Sequence, residues 1–153
     1  LPTPNCETRM PGDEHGLVDT NILILRNGID PAELPGVLSI SAVTLAELSA
    51  GPHHATEPDE RARRLDLLQR AESEFDPLPF DVEAARAFGR INAAVLASGR
   101  KPHGRLADLM IASTATANGL PLFTTNPKDY DGLAGLLTVV AVKRPSQPGR
   151  PPR

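Results

Sequence analysis

Gly16-Leu17-Val18-Asp19-Thr20-Asn21-Ile22-Leu23-Ile24-Leu25 reads as a short apolar strand that runs into an acid and then turns at once into a helix. Thr20 and Asn21 are suited to cap that helix. The same alternation continues outward from this unit. Gly36-Val37-Leu38-Ser39-Ile40 predicts a second strand, and Ser41 an N-cap for a helix over 42–50 that Gly51-Pro52 stops. Residues 57–74 form an amphipathic pattern, with Ala62, Leu65, Leu68 and Ala71 on one side and Arg61, Arg63, Arg64 and Arg70 elsewhere. Residues 75–79 are a short third strand at best. Ala85, Phe88, Ile91, Ala94 and Val95 recur at helical spacing within 82–98. After a basic loop over 99–104 comes an Ala-rich helix over 106–118, ended by Gly119, and residues 120–124 and 137–142 complete the strands. Strands alternating with helices imply an α/β chain with a parallel sheet covered on both faces.

The chain has 153 residues, the size of one domain, and needs no disulfide or structural metal to bury a core. Its extent is expected at 17–143. Residues 1–16 are polar, lack periodicity and carry three prolines, so they read as a disordered leader or a cloning remnant without a secretory pattern. Residues 144–153 read as a disordered, basic, Pro-rich tail. No apolar run suggests a membrane span. Cys6 stands alone, so there is neither an internal disulfide nor a Cys/His set for zinc, and a cytoplasmic location is expected. With no Trp, one Tyr and four Phe, an extended base-stacking platform is not expected. A net charge of −3 gives no general attraction to phosphate, so any nucleic-acid binding must come from a local basic patch and bound metal.

Acids recur on successive structural units. Asp19 closes the first strand, and ligands of open parallel sheets gather outside the carboxyl ends of the strands. Taken singly, Asp19 reads equally as a helix cap. Glu47 lies among Leu45, Ala46 and Leu48, which predicts a place beside the core, where a carboxylate is costly unless paired or metal-bound. Asp108, within Arg105-Leu106-Ala107-Asp108-Leu109-Met110-Ile111-Ala112, falls in a first helical turn, which also suits the helix dipole. Leu122-Phe123-Thr124-Thr125-Asn126-Pro127-Lys128-Asp129-Tyr130 leaves a strand with hydroxyls, an amide and an acid together, or is simply a surface turn. Arg100-Lys101-Pro102-His103-Gly104-Arg105 precedes Asp108; such a loop is ordinarily solvated surface, but beside a metal it can grip phosphate. His53-His54 follows the expected helix stop and reads as loop rather than as a ligand pair.

Four of these segments, in this order, resemble the PIN-domain family, and especially the VapC-type toxins of bacterial toxin–antitoxin pairs. They are Val18-Asp19-Thr20-Asn21, Leu45-Ala46-Glu47-Leu48, the Asp108 segment and Thr124-Thr125-Asn126-Pro127-Lys128-Asp129-Tyr130. The resemblance spans about residues 17–142. It implies a PIN-like three-layer α/β sandwich with a central parallel sheet of about five strands and helices on both faces. It also implies metal-dependent endoribonuclease activity, a cognate antitoxin that wraps the toxin and obstructs its site, and a homodimer or toxin–antitoxin hetero-oligomer. Many members carry an acid where this chain has Asn126. Asn126 can still ligate weakly or hydrogen-bond a metal-bound water, and Asp129 can supply the charge from one turn later. The fourth position and a second metal therefore stay open.

On this reading Asp19 and Asp108 hold Mg²⁺ or Mn²⁺ most directly, with Glu47 nearby, because hard cations prefer carboxylate oxygen and water. The ion activates a water that attacks an RNA phosphodiester. Arg100, Lys101 and Arg105, with Thr20 and Asn21, are the expected substrate contacts. Two other readings stand beside it. An aspartate-nucleophile phosphohydrolase usually wants a second acid two residues after the nucleophile, where Asn21 stands. A catalytically degenerate PIN-like module would bind a partner and cleave nothing.

Overall fold

The computed structural model describes residues 14–146. Expectations for residues 1–13 and 147–153 lie outside them. The chain runs β1 (His15–Val18), α1 (Thr20–Leu25), β2 (Val37–Ser39), α2 (Ala42–His54), α3 (Pro58–Glu74), α4 (Val82–Ala97), α5 (Leu106–Ala117), β3 (Leu122–Thr124) and β4 (Val139–Ala141). The strands form one parallel sheet in the order β2-β1-β3-β4.

Strand alternation divides the core between two faces. Leu17 and Leu122 point to one side, into a cluster with Ile91 and Val95 of α4 and Leu109 and Ile111 of α5. Val18 and Phe123 point to the other, where Ile22, Leu48 and Ala71 of α1, α2 and α3 cover them. The result is the expected three-layer α/β sandwich.

The sheet has four strands rather than about five. The 75–79 stretch makes one isolated parallel bridge, Ser41 to Leu78, in which Ala42 N donates to the Leu78 carbonyl and Leu78 N to that of Ile40. Pro77 and Pro79 flank Leu78 and have no N–H, so the ladder ends where it starts.

Four further expectations change. β1 begins at His15, inside the segment read as leader, because Val37 N pairs with the Glu14 carbonyl and recruits polar residues into the sheet. At the other end Pro145, assigned to the tail, packs so closely on Gly28 that a Cβ there would lie 2.8 Å from Pro145 Cβ. α2 does not stop at Gly51-Pro52 but continues to His54, so His53 and His54 lie in its last turn. A proline this near the end forfeits one helical bond, and α3 repairs the terminus, with Arg64 donating to the Gly51 carbonyl and Arg61 to that of Ala55. On α3, Ala71 is buried and Leu67 and Leu68 pack on the core, but Ala62 and Leu65 are exposed.

Candidate active site

Asp19 sits at the carboxyl end of β1 and serves as the N-cap of α1: its Oδ1 accepts from Thr20 N at 2.8 Å. Cap and site residue are therefore the same group, and Thr20 and Asn21 occupy the first turn of the helix instead of capping it. Asp19 Oδ2 accepts two more bonds, from Thr124 Oγ1 at 2.9 Å and from the Tyr130 hydroxyl at 3.1 Å. The residue is only 4% exposed. Burial pushes its pKa up, and the three donors from Thr124, Thr20 and Tyr130 oppose that without cancelling it.

Glu47 is exposed, contrary to the expectation that its apolar neighbours would bury it. Those neighbours do not share its helical face; the carboxylate turns into the cleft, where Thr20 Oγ1 donates to Oε1 at 2.7 Å. Behind it lies a line of hydroxyls. Thr20 Oγ1 is 3.0 Å from Thr44 Oγ1, and Ser41 Oγ donates to Thr44 Oγ1 at 3.3 Å. Each hydroxyl has one proton, so the bonds run one way, from Ser41 through Thr44 and Thr20 to Glu47. Ser41 and Thr44 are fully buried, which ties the direction of Glu47 to the core.

Asp108, in the first turn of α5, is half-buried, and no hydrogen bond among the described residues ends on its carboxylate. Its pKa is pushed up to about 6, first by desolvation and then by the charges of Asp19, Asp129 and Glu47, with Arg105 pulling the other way. The three acids read from the sequence thus share one electrostatic neighbourhood, and Asp129 joins them. Asn126 lies next to this group through its backbone, its N–H donating to Thr124 Oγ1. Asp129 raises Asp19 and Asp108 alike.

The basic loop is partly spent on structure. Arg100 donates to the Lys128 carbonyl at 2.7 Å and Arg105 to the Asp129 carbonyl at 3.4 Å, bracing the 3₁₀ turn Pro127–Tyr130. Lys101 is exposed and makes no ion pair among the described residues. A cleft of about 1120 Å³ opens from Asp19, Glu47 and Asp108 toward α3, with Leu23, Leu48 and Leu67 along it and Arg63 and Arg70 at its rim.

No three His, Cys, Asp or Glu side chains among the described residues form a ready-made metal cage. The donors present are carboxylate oxygens that repel one another. That chemistry fits Mg²⁺ or Mn²⁺, of which the former keeps several waters and is held by one or two carboxylates together with substrate phosphates. It does not fit zinc, which wants nitrogen and sulfur.

Residue-level reading of the sequence missed Thr44, Thr124 and Tyr130. Thr124 and Tyr130 stand inside the segment that leaves the strand with hydroxyls, an amide and an acid, and the chain's single tyrosine in a polar turn is a signal in itself. Thr44 carried the weaker sign of lying three residues after a helix cap.

A parallel α/β sandwich with acids gathered beyond the carboxyl edge of its sheet is the class of protein that the fold and site define. Residues 16–136 match the PIN domain family, and the chain belongs to it. It is similar to ribonuclease VapC5 of Mycobacterium tuberculosis, 34% identical over 131 residues, with 84% of this chain and 94% of that protein covered. It is also similar to the tRNA(fMet)-specific endonuclease VapC of Shigella flexneri, 34% identical over 129 residues, with coverage of 80% and 94%. Among solved structures, VapBC-5 from M. tuberculosis, a member of the VapBC family of toxin-antitoxin systems, superposes with a TM-score of 0.73 at 34% identity, covering 84% of this chain and 98% of that one. No helix among the described residues is long and apolar enough to cross a membrane.

Proposed function

We propose that the protein is a VapC-type endoribonuclease, the toxin of a toxin–antitoxin pair, and that it hydrolyses RNA phosphodiesters with Mg²⁺ or Mn²⁺. The observation that carries the reading is the convergence of Asp19, Glu47 and Asp108 on one cleft, with the charge of Asp129 close enough to help push the Asp108 pKa up to about 6. Asp19 and Asp108 would hold the ion, with Glu47 beside them. When bound, it supplies a water of lowered pKa and polarises a phosphoryl oxygen. The chain's own residues do the rest. Thr124 and Tyr130 hold Asp19 still, and the Ser41–Thr44–Thr20 line aims Glu47. Asp129 or Asn126 takes the fourth position. Lys101 and the unused donors of Arg100 and Arg105 grip substrate phosphate, joined by Asn21. The Thr20 hydroxyl, expected as a substrate contact, already serves Glu47.

The partner is a small antitoxin whose apolar segment lies along Leu23, Leu48 and Leu67 and sets an Arg or Lys against the acids. A non-catalytic binding module is the second reading, favoured by Asn126, an amide where the resemblance leads one to expect an acid.

Purified protein incubated with RNA separates the readings. Cleavage that needs Mg²⁺ or Mn²⁺ and stops in EDTA is the expected result. Undiminished cleavage in excess chelator defeats the metal reading, and no cleavage under any ion leaves the binding module. Turnover of a small phosphate monoester in place of RNA indicates a phosphohydrolase.

A further inference from the structure

The two oxygens of Asp19 are held unequally. A carboxylate oxygen offers about two acceptor positions. Both positions on Oδ2 are filled, by Thr124 Oγ1 and the Tyr130 hydroxyl, whereas Oδ1 accepts only Thr20 N. The two donors on Oδ2 have nowhere else to turn. Tyr130 is 2% exposed and Thr124 is fully buried. Thr124 Oγ1 already accepts from Asn126 N, so its one proton goes to Asp19. The donors come from α1, β3 and the Pro127–Tyr130 turn, and Arg100 and Arg105 brace that turn through its carbonyls. The carboxylate cannot rotate without orphaning a buried hydroxyl.

We infer that Tyr130, together with Thr124, restricts Asp19 to ligation through Oδ1 alone and thereby selects small octahedral cations over Ca²⁺. The inference rests on the metal reading above. Mg²⁺ requires near-ideal octahedral geometry, which one-oxygen carboxylate ligands satisfy. Ca²⁺ takes six to eight oxygens and readily uses both atoms of one carboxylate. A carboxylate with one oxygen closed off denies Ca²⁺ that option and takes nothing from Mg²⁺. Tyr130 acts through Asp19 and is a positioning residue.

The test is calorimetric titration of the metal-free, full-length protein with Mg²⁺, Mn²⁺ and Ca²⁺ near neutral pH, comparing wild type with Tyr130→Phe. Phenylalanine keeps the buried ring and removes only the donor. We expect Ca²⁺ to bind about fivefold more tightly to the variant, the scale of one added oxygen contact, with Mg²⁺ and Mn²⁺ changed by less than about twofold. Thr124→Val removes the other donor on the same oxygen and shifts the preference in the same direction, which keeps the test open if one variant folds poorly. An unchanged Ca²⁺-to-Mg²⁺ ratio in both variants, with Mg²⁺ bound by wild type, overturns the inference and leaves the metal reading standing. Equal weakening for all three ions also overturns it, reducing Tyr130 to general support. Wild-type protein that binds none of the ions removes the metal reading and this inference with it.

Discussion

Asp19 and Asp108 bring the same side chain into the same cleft from opposite circumstances. Asp19 is buried, and three donors from three elements hold it. Asp108 is half-buried at a helix start, accepts no hydrogen bond among the described residues, and faces three like charges. Both pKa values rise, yet burial dominates against opposing donors at Asp19, whereas burial and repulsion act together at Asp108. One acid is built into the fold and the other is kept under electrostatic tension.

The largest expected effect erases the contrast. On the proposed metal reading, Asp19→Asn and Asp108→Asn should each lower RNA cleavage by at least about 100-fold, because each removes a charge that would hold the ion and its several kcal/mol of transition-state stabilisation. Single-turnover cleavage of a defined RNA measures this, and a variant that keeps wild-type rates removes that residue from the site.

Stability should separate the two acids. Asp19→Ala removes the cap of α1 and orphans the Thr124 and Tyr130 hydroxyls. The loss should be about 2 kcal/mol after relief of the buried charge. Urea unfolding of metal-free protein tests it, and a neutral result would mean that the three bonds to Asp19 do not hold it in solution.

Asp108→Asn should do the reverse. The folded-state pKa of Asp108 lies at about 6, above its ordinary 3.8. The folded protein therefore binds more protons than the unfolded chain between those values, and stability falls as pH rises through that window and levels off above it. The variant should accordingly be more stable than wild type near pH 7.5 by about 1 kcal/mol, a figure discounted for solvent screening, and equal to it below about pH 4. A divalent ion at the proposed site would favour the carboxylate, so its binding to wild type should weaken as pH falls through about 6. Melting curves against pH, with and without Mg²⁺, test both signs; an advantage that grows toward low pH would refute the like-charge account.

The smallest effects lie in the basic loop. Lys101→Ala should flatten the salt dependence of RNA affinity by about one unit of slope and leave stability unchanged. Arg100→Ala should also cost about 0.5–1 kcal/mol of stability, since its bond to the Lys128 carbonyl is lost. Equal behaviour of the two variants would mean that Arg100 does not brace the turn.

Local chemistry was legible wherever a residue's partner lies close in sequence. The strand-to-acid step at Asp19, the Ser41 cap and the Asp108 helix start all depend on a few adjacent residues, and each stands where the sequence put it. The segment order also carried family membership, since four short motifs in sequence exclude far more folds than any one does. Errors arose where a distant element intervened, as at Pro52, or where an adjacent residue lacked the N–H that a ladder needs, as at 75–79. Pro52 reads as a stop until α3 supplies arginines to the helix end, and 75–79 reads as a strand until its flanking prolines limit it to one bridge.

The sequence by itself therefore determined the α/β alternation, the family and which acids belong together, because periodicity and order are properties of the chain. Only the tertiary structure decided what each acid can do. Asp19 meets Thr124 and Tyr130 across 105 and 111 positions, and Glu47 meets Thr20 across 27. The direction of a hydrogen bond and the number of oxygens left open depend on which atoms come within about 3 Å, and folding alone brings them there.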